Sequence, residues 1–184
     1  MNLNGYILAG GHSSRFGSNK ALARINGKSF IEQCALTLRP FCKSVSISGR
    51  KKEYAHLNME QIPDLISDIG PLGGLYSCLK ASDTDMNLFL TCDMPYLTSE
   101  IIRPLTNTET EREACIYIEN KINAHPFPGI YNKSILPVIE EQILNNDFRL
   151  KSLLSKIQVE SIIIDQAFKT NFSNINYRDQ LDHF

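Results

Sequence analysis

The sequence predicts an α/β fold in which helices cover both faces of a doubly wound, mostly parallel sheet. Short apolar runs of β type alternate along the chain with longer amphipathic runs, and this alternation is typical of such sheets. No internal repeat, low-complexity tract or linker interrupts the pattern in the 184 residues. We therefore expect a single domain over residues 1–184, because domains most often have roughly 100–150 residues.

The predicted elements bring three polar segments to one edge of this sheet. The predicted strands are Gly5–Ala9, Ser44–Ser48, Glu60–Ile62, Asn87–Thr91, Ala114–Ile118 and Glu160–Ile164. The predicted helices are Lys28–Leu38, Leu72–Ala81, Ser99–Leu105, Ser134–Leu144 and Arg149–Lys156. Segments 8–22, 63–75 and 91–96 follow predicted strands and are rich in Gly, Pro, Asp or Lys. Since doubly wound sheets bind ligands at the carboxyl ends of their strands, we expect the functional site there.

Charge and cysteine content exclude several classes of protein. The chain has 19 basic and 20 acidic residues and a net charge of −1, which argues against binding nucleic acid or an anionic membrane. No apolar stretch approaches the roughly 20 residues of a membrane span, and the first residues lack the features of a signal peptide. The five cysteines form no C-x-x-C pair, which disfavours a zinc knuckle or a disulfide framework. These features predict a cytoplasmic protein with reduced thiols.

The segment Leu8–Leu22, LAGGHSSRFGSNKAL, has the composition of a phosphate-binding loop. It is not a P-loop, because five residues separate Gly11 from Gly17 and Lys20 does not directly follow the second glycine. It also lacks the G-x-G-x-x-G fingerprint of dinucleotide sites. The Gly10-Gly11 pair would nevertheless let backbone N–H groups approach an anion closely. The hydroxyls of Ser13 and Ser14 and the charges of Arg15 and Lys20 would add to this anion site.

The same segment resembles a known family. The pattern LAGG-x-S-x-R-F-G-x-x-K-A-L resembles the opening motif of the nucleotidyltransferase superfamily, and within it the MobA-like branch of molybdenum cofactor guanylyltransferases. The resemblance implies a Rossmann-like three-layer α/β/α sandwich. It also implies that the protein transfers a nucleoside monophosphate from a nucleoside triphosphate, releases pyrophosphate and uses Mg²⁺.

The second polar segment, Pro63–Leu75, resembles the D-x-x-x-D-x-G-P-L-x-G element of that branch. The carboxylate of Asp64 could accept hydrogen bonds from N1–H and the exocyclic amine of guanine, and Asp68 is a second candidate. Glycine at position 70 would let the backbone pass close to a ligand before a helix begins. Taken alone, the segment would be read as a turn with helix-capping residues.

The third polar segment, Asn87–Tyr96, ends an apolar strand with Asp93 and resembles the C-D-x-P-Y element of the branch. A carboxylate at the carboxyl end of a strand, facing a triphosphate, suits Mg²⁺, which prefers hard oxygen ligands. Asp93 is therefore the predicted metal ligand.

After the second predicted strand, where the family often has Asn, this chain offers Ser48 and Arg50, which leaves the choice of base open.

Later motifs are assigned to the acceptor. The stretch His125–Tyr131 resembles an H-P-x-x-x-x-Y element, although a histidine in a proline-rich turn explains it equally well. Asn174 and Asn176 resemble a terminal N-x-N element without its usual continuation. The resemblance thus divides the domain into an NTP-binding half, residues 1–96, and an acceptor-side half, residues 97–184.

The resemblance implies transfer of GMP from GTP to molybdopterin, with Arg15, Lys20 and Asp93 as catalytic residues. The implied nucleotide-binding residues are Leu8, Ala9, Gly10, Gly11, Ser13, Lys20, Ser48, Asp64, Gly70 and Asp93. The alternatives are a relative that uses CTP or another phosphorylated acceptor, and a catalytically silent nucleotide- or partner-binding protein. Transient contacts with other proteins of cofactor biosynthesis are a further expectation.

Overall fold

A seven-stranded sheet with β1 (Asn4–Leu8) at its centre organises the chain. The structure is a computed structural model that describes residues 2–10, 19–107, 112–120, 123–175 and 177. Five of the predicted site residues lie outside the described residues, namely Gly11, Ser13, Ser14, Arg15 and Asn176. None of the helices within the described ranges is both long and apolar enough to cross a bilayer.

The order of the strands in the sheet is β5-β4-β1-β6-β8-β7-β9. The remaining bounds are β4 Ser44–Ser48, β5 Glu60–Ile62, β6 Met86–Thr91, β7 Ala114–Ile118, β8 Ala124–Asn132 and β9 Val159–Ile163. A separate hairpin joins β2 (Arg24–Ile25) to β3 (Lys28–Ser29). Within the seven-stranded sheet, β8 alone among the described strands pairs antiparallel with its neighbours β6 and β7. The expected mostly parallel sheet is thus confirmed.

In the part of the chain that the structure describes, five helices and four short 3₁₀ helices connect the strands. The helices are α1 Phe30–Leu38, α2 Pro71–Ala81, α3 Ser99–Asn107, α4 Leu136–Leu144 and α5 Leu150–Lys156. The 3₁₀ helices span Lys20–Leu22, Lys52–Leu57, Lys133–Ile135 and Gln166–Phe172. The first predicted helix was expected at Lys28, but Lys28–Ser29 forms β3 and Ser29 caps α1 through a capping box with Glu32.

Helices cover both faces of the sheet, as a three-layer sandwich requires. Residues of β1 alternate between two apolar clusters: Ile7 packs with α1 and α3, whereas Tyr6 and Leu8 pack with α2, α4 and α5. This alternation follows from the period of two along a strand. Each face of the sheet therefore has its own core, and the carboxyl ends of the strands remain available for a site.

The strand β8 is the main element that the sequence prediction missed. The stretch from His125 to Tyr131 contains two prolines, which cannot donate to a sheet ladder. The structure places them in a bulge, because Ile116 pairs with Gly129 whereas the next residue, Tyr117, pairs with His125. The alternative reading of this stretch as a proline-rich turn is therefore wrong. Because β8 runs antiparallel, it begins at the edge of the sheet where the parallel strands end.

Candidate active site

A cleft of about 880 Å³ opens at the carboxyl ends of β1, β4 and β6 and at the amino end of α2. The chain passes from β1 to β4 on one side and returns through α2 to β6 on the other, so the cleft lies at the topological switch point. Its lining includes Leu8, Ala9, Gly10, Lys20, Ser48, Arg50, Lys51, Asp64, Gly70, Thr91 and Asp93. The cleft therefore brings together parts of all three polar segments.

Lys20 and Asp93 face each other within this cleft. The Lys20 Nζ atom lies 3.9 Å from Oδ2 of Asp93, and the two side chains are 12% and 30% exposed. Lys20 begins a 3₁₀ helix that Asn19 caps by accepting from the backbone N–H of Ala21 at 3.2 Å. The ammonium of this partly desolvated pair could attract a phosphate, and the carboxylate could attract a cation.

The backbone that carries Asp93 is fixed from two directions. The N–H of Cys92 donates to the carbonyl oxygen of Leu8 at 3.2 Å, which continues the β1–β6 ladder beyond the strand. The N–H of Ile175 donates to the carbonyl oxygen of Asp93 at 2.9 Å. The carboxylate therefore projects from a peptide segment that is held in place on both sides.

The second carboxylate oxygen of Asp93 fits a metal ligand. Oδ1 is buried and has no hydrogen-bond partner among the described residues. A buried anionic oxygen without a partner is costly unless a ligand or ion satisfies it. No cluster of three or more His, Cys, Asp or Glu side chains within the described ranges could hold a metal by itself. A Mg²⁺ ion here would thus take its other ligands from phosphate and water, as is usual for this ion.

Asp64 lies on the opposite wall of the cleft, next to the loop that follows β4. Partial desolvation raises the pKa of the Asp64 carboxyl, and the positive charge of Lys51 opposes that rise. Gly49 has a φ of +89°, and a Cβ there would lie 3.8 Å from Oδ2 of Asp64. Without a side chain at position 49, the carboxylate stays accessible from the cleft.

The amino end of α2 forms the third wall. Gly70 precedes the helix with a φ of +65°, and no side chain caps this helix end. At Gly74 an added Cβ would meet Oγ of Ser48 at 2.7 Å and Cδ2 of Leu8 at 3.0 Å. The glycine thus allows α2 to lie directly against β1 and β4, so that the first turn of the helix borders the cleft at Gly70, Pro71 and Gly74.

Ser48 borders the cleft, but its side chain is engaged beneath the surface. It is 2% exposed, and its Oγ would lie 2.7 Å from a Cβ added at Gly74 of α2. Burial raises the pKa of Cys78, also in α2, to about 12, and the neighbouring hydroxyl of Ser48 acts in the opposite direction. The predicted contact of Ser48 with a nucleotide would therefore use a buried group that packs against α2.

Two of the predicted acceptor residues, His125 and Asn174, lie outside the lining of the cleft, and His125 is at the start of β8, the strand next to β6. The His125 ring packs edge-on against Phe172, with ring centroids 5.3 Å apart. Burial lowers the pKa of His125, and the charge of Glu119 opposes this. Asn174 is exposed and precedes Ile175, whose N–H bonds to Asp93. The segment from Phe172 to Ile175 therefore connects the start of β8 to the backbone of Asp93.

Sequence reasoning did not single out two of the polar residues that line the cleft. Lys51 follows β4 directly after the predicted candidates Ser48 and Arg50, and its side chain is half-buried. Thr91 is the last residue of β6 and pairs with Leu8, and its Oγ1 is buried without a partner among the described residues. Both residues lie at or just after the carboxyl end of a parallel strand, and this position could have identified them as site candidates from the sequence.

Comparison with known proteins agrees with this architecture. The chain is similar to a crystal structure from Aquifex aeolicus at 28% identity, with a TM-score of 0.81 and coverage of 94% of this chain and 92% of that one. It shares its fold with molybdopterin-guanine dinucleotide biosynthesis protein A from Archaeoglobus fulgidus, at 22% identity, a TM-score of 0.80 and coverage of 98% and 95%. The fold is that of a nucleotidyltransferase domain.

The particular family follows from sequence comparison. Residues 5–161 match the model of the MobA-like NTP transferase domain. A protein of Flavobacterium johnsoniae named "probable molybdenum cofactor guanylyltransferase" is 36% identical over 177 residues, covering 96% of this chain and 93% of that protein. The chain belongs to the MobA-like NTP transferase family.

Proposed function

We propose that this protein transfers GMP from GTP to molybdopterin and releases pyrophosphate. The observation that carries the proposal is the opposition of Lys20 and Asp93, 3.9 Å apart, in a cleft of about 880 Å³ at the switch point of the sheet. That volume is within the range of about 300–1,000 Å³ that is usual for small-molecule sites. The name of the Flavobacterium johnsoniae relative supports the choice of nucleotide and acceptor.

The reaction needs charge neutralisation and alignment more than proton transfer. An oxygen of the acceptor phosphate attacks the α-phosphorus in line and forms a new P–O bond. The bond from the α-phosphorus to its bridging oxygen breaks, and pyrophosphate leaves with the electron pair. Because the attacking group is already an anion, no strong general base is required.

The residues of the cleft have distinct tasks in this reaction. The ammonium of Lys20 stabilises charge that accumulates on the phosphates, and Arg15 is proposed to share this task. Asp93 would hold Mg²⁺ through the oxygen that lacks a protein partner, and the bound ion would supply positive charge to the phosphate oxygens. Asp64 and the amino end of α2 would position the nucleoside. His125, Asn174 and Asn176 are proposed to contact the acceptor.

The experiment is a pyrophosphate-release assay with GTP, CTP, ATP or UTP, with Mg²⁺, and with or without molybdopterin. We expect release with GTP only when molybdopterin is present. A preference for CTP would contradict the choice of nucleotide. Nucleotide binding without release in any combination that contains molybdopterin would contradict transfer to this acceptor.

A further inference from the structure

Lys51 is a cation of the cleft to which the proposed mechanism gives no task. Its side chain is half-buried and borders the same wall as Asp64. The Nζ atom lies 5.8 Å from the centroid of the Tyr54 ring, a distance at which an ammonium is attracted to an aromatic face. The backbone N–H of Lys51 donates to Oε1 of Gln61 at 2.8 Å. Backbone and side chain of this lysine are thus both supported by neighbouring groups.

The Tyr54 ring beneath Lys51 is buried and contacts residues on both sides of the segment that leads to Lys20. Tyr54 is fully buried, and its hydroxyl lies 3.3 Å from the carbonyl oxygen of Ala9 and 3.3 Å from Oδ1 of Asn19. Both acceptors flank the segment that leads to Lys20. The Lys51 ammonium is therefore held over a ring that is itself anchored to the phosphate side of the cleft.

The loop that carries Lys51 is joined to the end of β5, because the N–H of Gly49 donates to the carbonyl oxygen of Ile62 at 2.8 Å. Asp64 follows β5 by two residues, and Lys51 and Asp64 both line the cleft. The positive charge of Lys51 opposes the rise that burial causes in the pKa of Asp64. At Gly49 no side chain stands between the loop after β4 and the carboxylate. An ammonium and a carboxylate thus both line the cleft near the carboxyl ends of β4 and β5.

This pair is complementary to the Watson–Crick edge of guanine. Guanine offers one acceptor, O6, followed by two donors, N1–H and the N2 amine. A carboxylate accepts two parallel hydrogen bonds, whereas an ammonium only donates. Lysine commonly donates to O6 when proteins recognise guanine in nucleic acids. Adenine places an amine where guanine has O6, so the ammonium would face a donor.

We propose that Lys51 is a specificity-determining residue that donates a hydrogen bond to O6 of guanine while Asp64 accepts from N1–H and the N2 amine. The inference rests on the proposed function, since it takes GTP as the substrate. It adds a residue for base selection at the position where the sequence departs from the family pattern.

Two nucleotide analogues test the two contacts separately. The dissociation constants of GTP, 6-thio-GTP and ITP are measured by calorimetry in the presence of Mg²⁺. 6-Thio-GTP replaces O6 by a weak acceptor and keeps both donors, whereas ITP lacks only the N2 amine. We expect the wild-type protein to bind GTP about tenfold or more tightly than either analogue.

Lys51→Met and Asp64→Asn should each abolish one of the two preferences for GTP over an analogue. Lys51→Met should weaken GTP binding about tenfold and abolish the preference for GTP over 6-thio-GTP, while the preference over ITP remains. Asp64→Asn should abolish the preference over ITP. Lys51→Arg should retain wild-type selectivity, because a guanidinium also donates to O6. Lys52→Met is the matched control, since it removes the same charge from an exposed neighbour outside the cleft lining.

The outcomes separate this inference from the proposed function. If Lys51→Met weakens GTP and 6-thio-GTP equally, the lysine acts on the phosphates and the inference is overturned. Unchanged binding by a folded Lys51→Met protein would overturn it as well. If the wild-type protein instead binds CTP or ATP as tightly as GTP, the proposed function itself is at fault.

Discussion

The Nζ atom of Lys20 lies 3.9 Å from Oδ2 of Asp93, although the two residues belong to loops that follow different strands. Lys20 follows β1 and Asp93 follows β6, and these strands are neighbours at the centre of the sheet. The pair therefore connects the proposed phosphate-binding segment with the proposed metal ligand. The role of this pair can be tested by comparison with the exposed Lys43–Asp83 pair.

Lys20→Ala and Asp93→Ala should each lower kcat by about a hundredfold to a thousandfold, because each removes charge that the transition state needs. The melting temperature should change little, since both side chains are at the cleft surface. Lys43→Ala is the matched control: Lys43 pairs with Asp83 at 2.8 Å on the exposed surface, and its loss should leave kcat unchanged. Near-wild-type turnover of either cleft variant would contradict the proposed mechanism.

Gly74→Ala should push α2 away from the sheet. The new Cβ would meet Oγ of Ser48 at 2.7 Å and Cδ2 of Leu8 at 3.0 Å, and such overpacking costs about 1–3 kcal/mol. This outweighs the gain of up to about 1 kcal/mol from the higher helix propensity of alanine. Urea denaturation should show a lower free energy of unfolding. Adding Ser48→Ala removes the closest contact and should restore part of the loss; an additive double variant would argue against this packing.

Thr91→Val should stabilise the protein. The Thr91 hydroxyl oxygen is buried without a hydrogen-bond partner among the described residues, and valine has nearly the same shape. Removal of an unsatisfied buried hydroxyl should raise the free energy of unfolding by about 1 kcal/mol, as measured by urea denaturation. Thr84→Val is the opposite case, because the Thr84 hydroxyl donates to Met86 O at 3.1 Å, and it should destabilise. A destabilised Thr91→Val protein would show that the hydroxyl has a structural task.

Stability should fall at mildly acidic pH partly because of His125. Burial lowers the pKa of His125 in the folded protein, so the unfolded chain takes up the proton first as the pH falls. The free energy of unfolding should therefore decrease as the pH falls below the ordinary histidine value of about 6.5. The decrease should level off below the folded-state pKa. His125→Gln should reduce this part of the pH dependence in thermal melts from pH 7 to 5, and an unaltered profile would contradict the assignment.

Much of the sheet could be predicted because its strands are short apolar runs with clear ends. The predictions for Ser44–Ser48, Glu60–Ile62 and Ala114–Ile118 coincide with β4, β5 and β7. The strand β8 could not be found in this way, because its prolines are compatible with a sheet only through the bulge opposite β7. The bulge depends on how β8 pairs with β7, and the local sequence of β8 does not reveal this pairing.

The site was partly predictable for a related reason. Lys20, Asp64 and Asp93 follow strands and carry charges, so position and chemistry both pointed to them, and the structure brings all three to one cleft. The role proposed for Lys51 depends on its place over the Tyr54 ring and in the same cleft as Asp64. Those relationships arise only when the ends of β1, β4 and β5 meet in space.

The hydrogen bond from Ile175 to the carbonyl oxygen of Asp93 also has a consequence for synthesis of the chain on the ribosome. A nascent chain that has emerged only through α5 contains β1, β4 and β6 and both residues of the Lys20–Asp93 pair. It still lacks β9 and the peptide that fixes Asp93 from the acceptor side. The cleft is thus completed late in translation, after most of the sheet has been made.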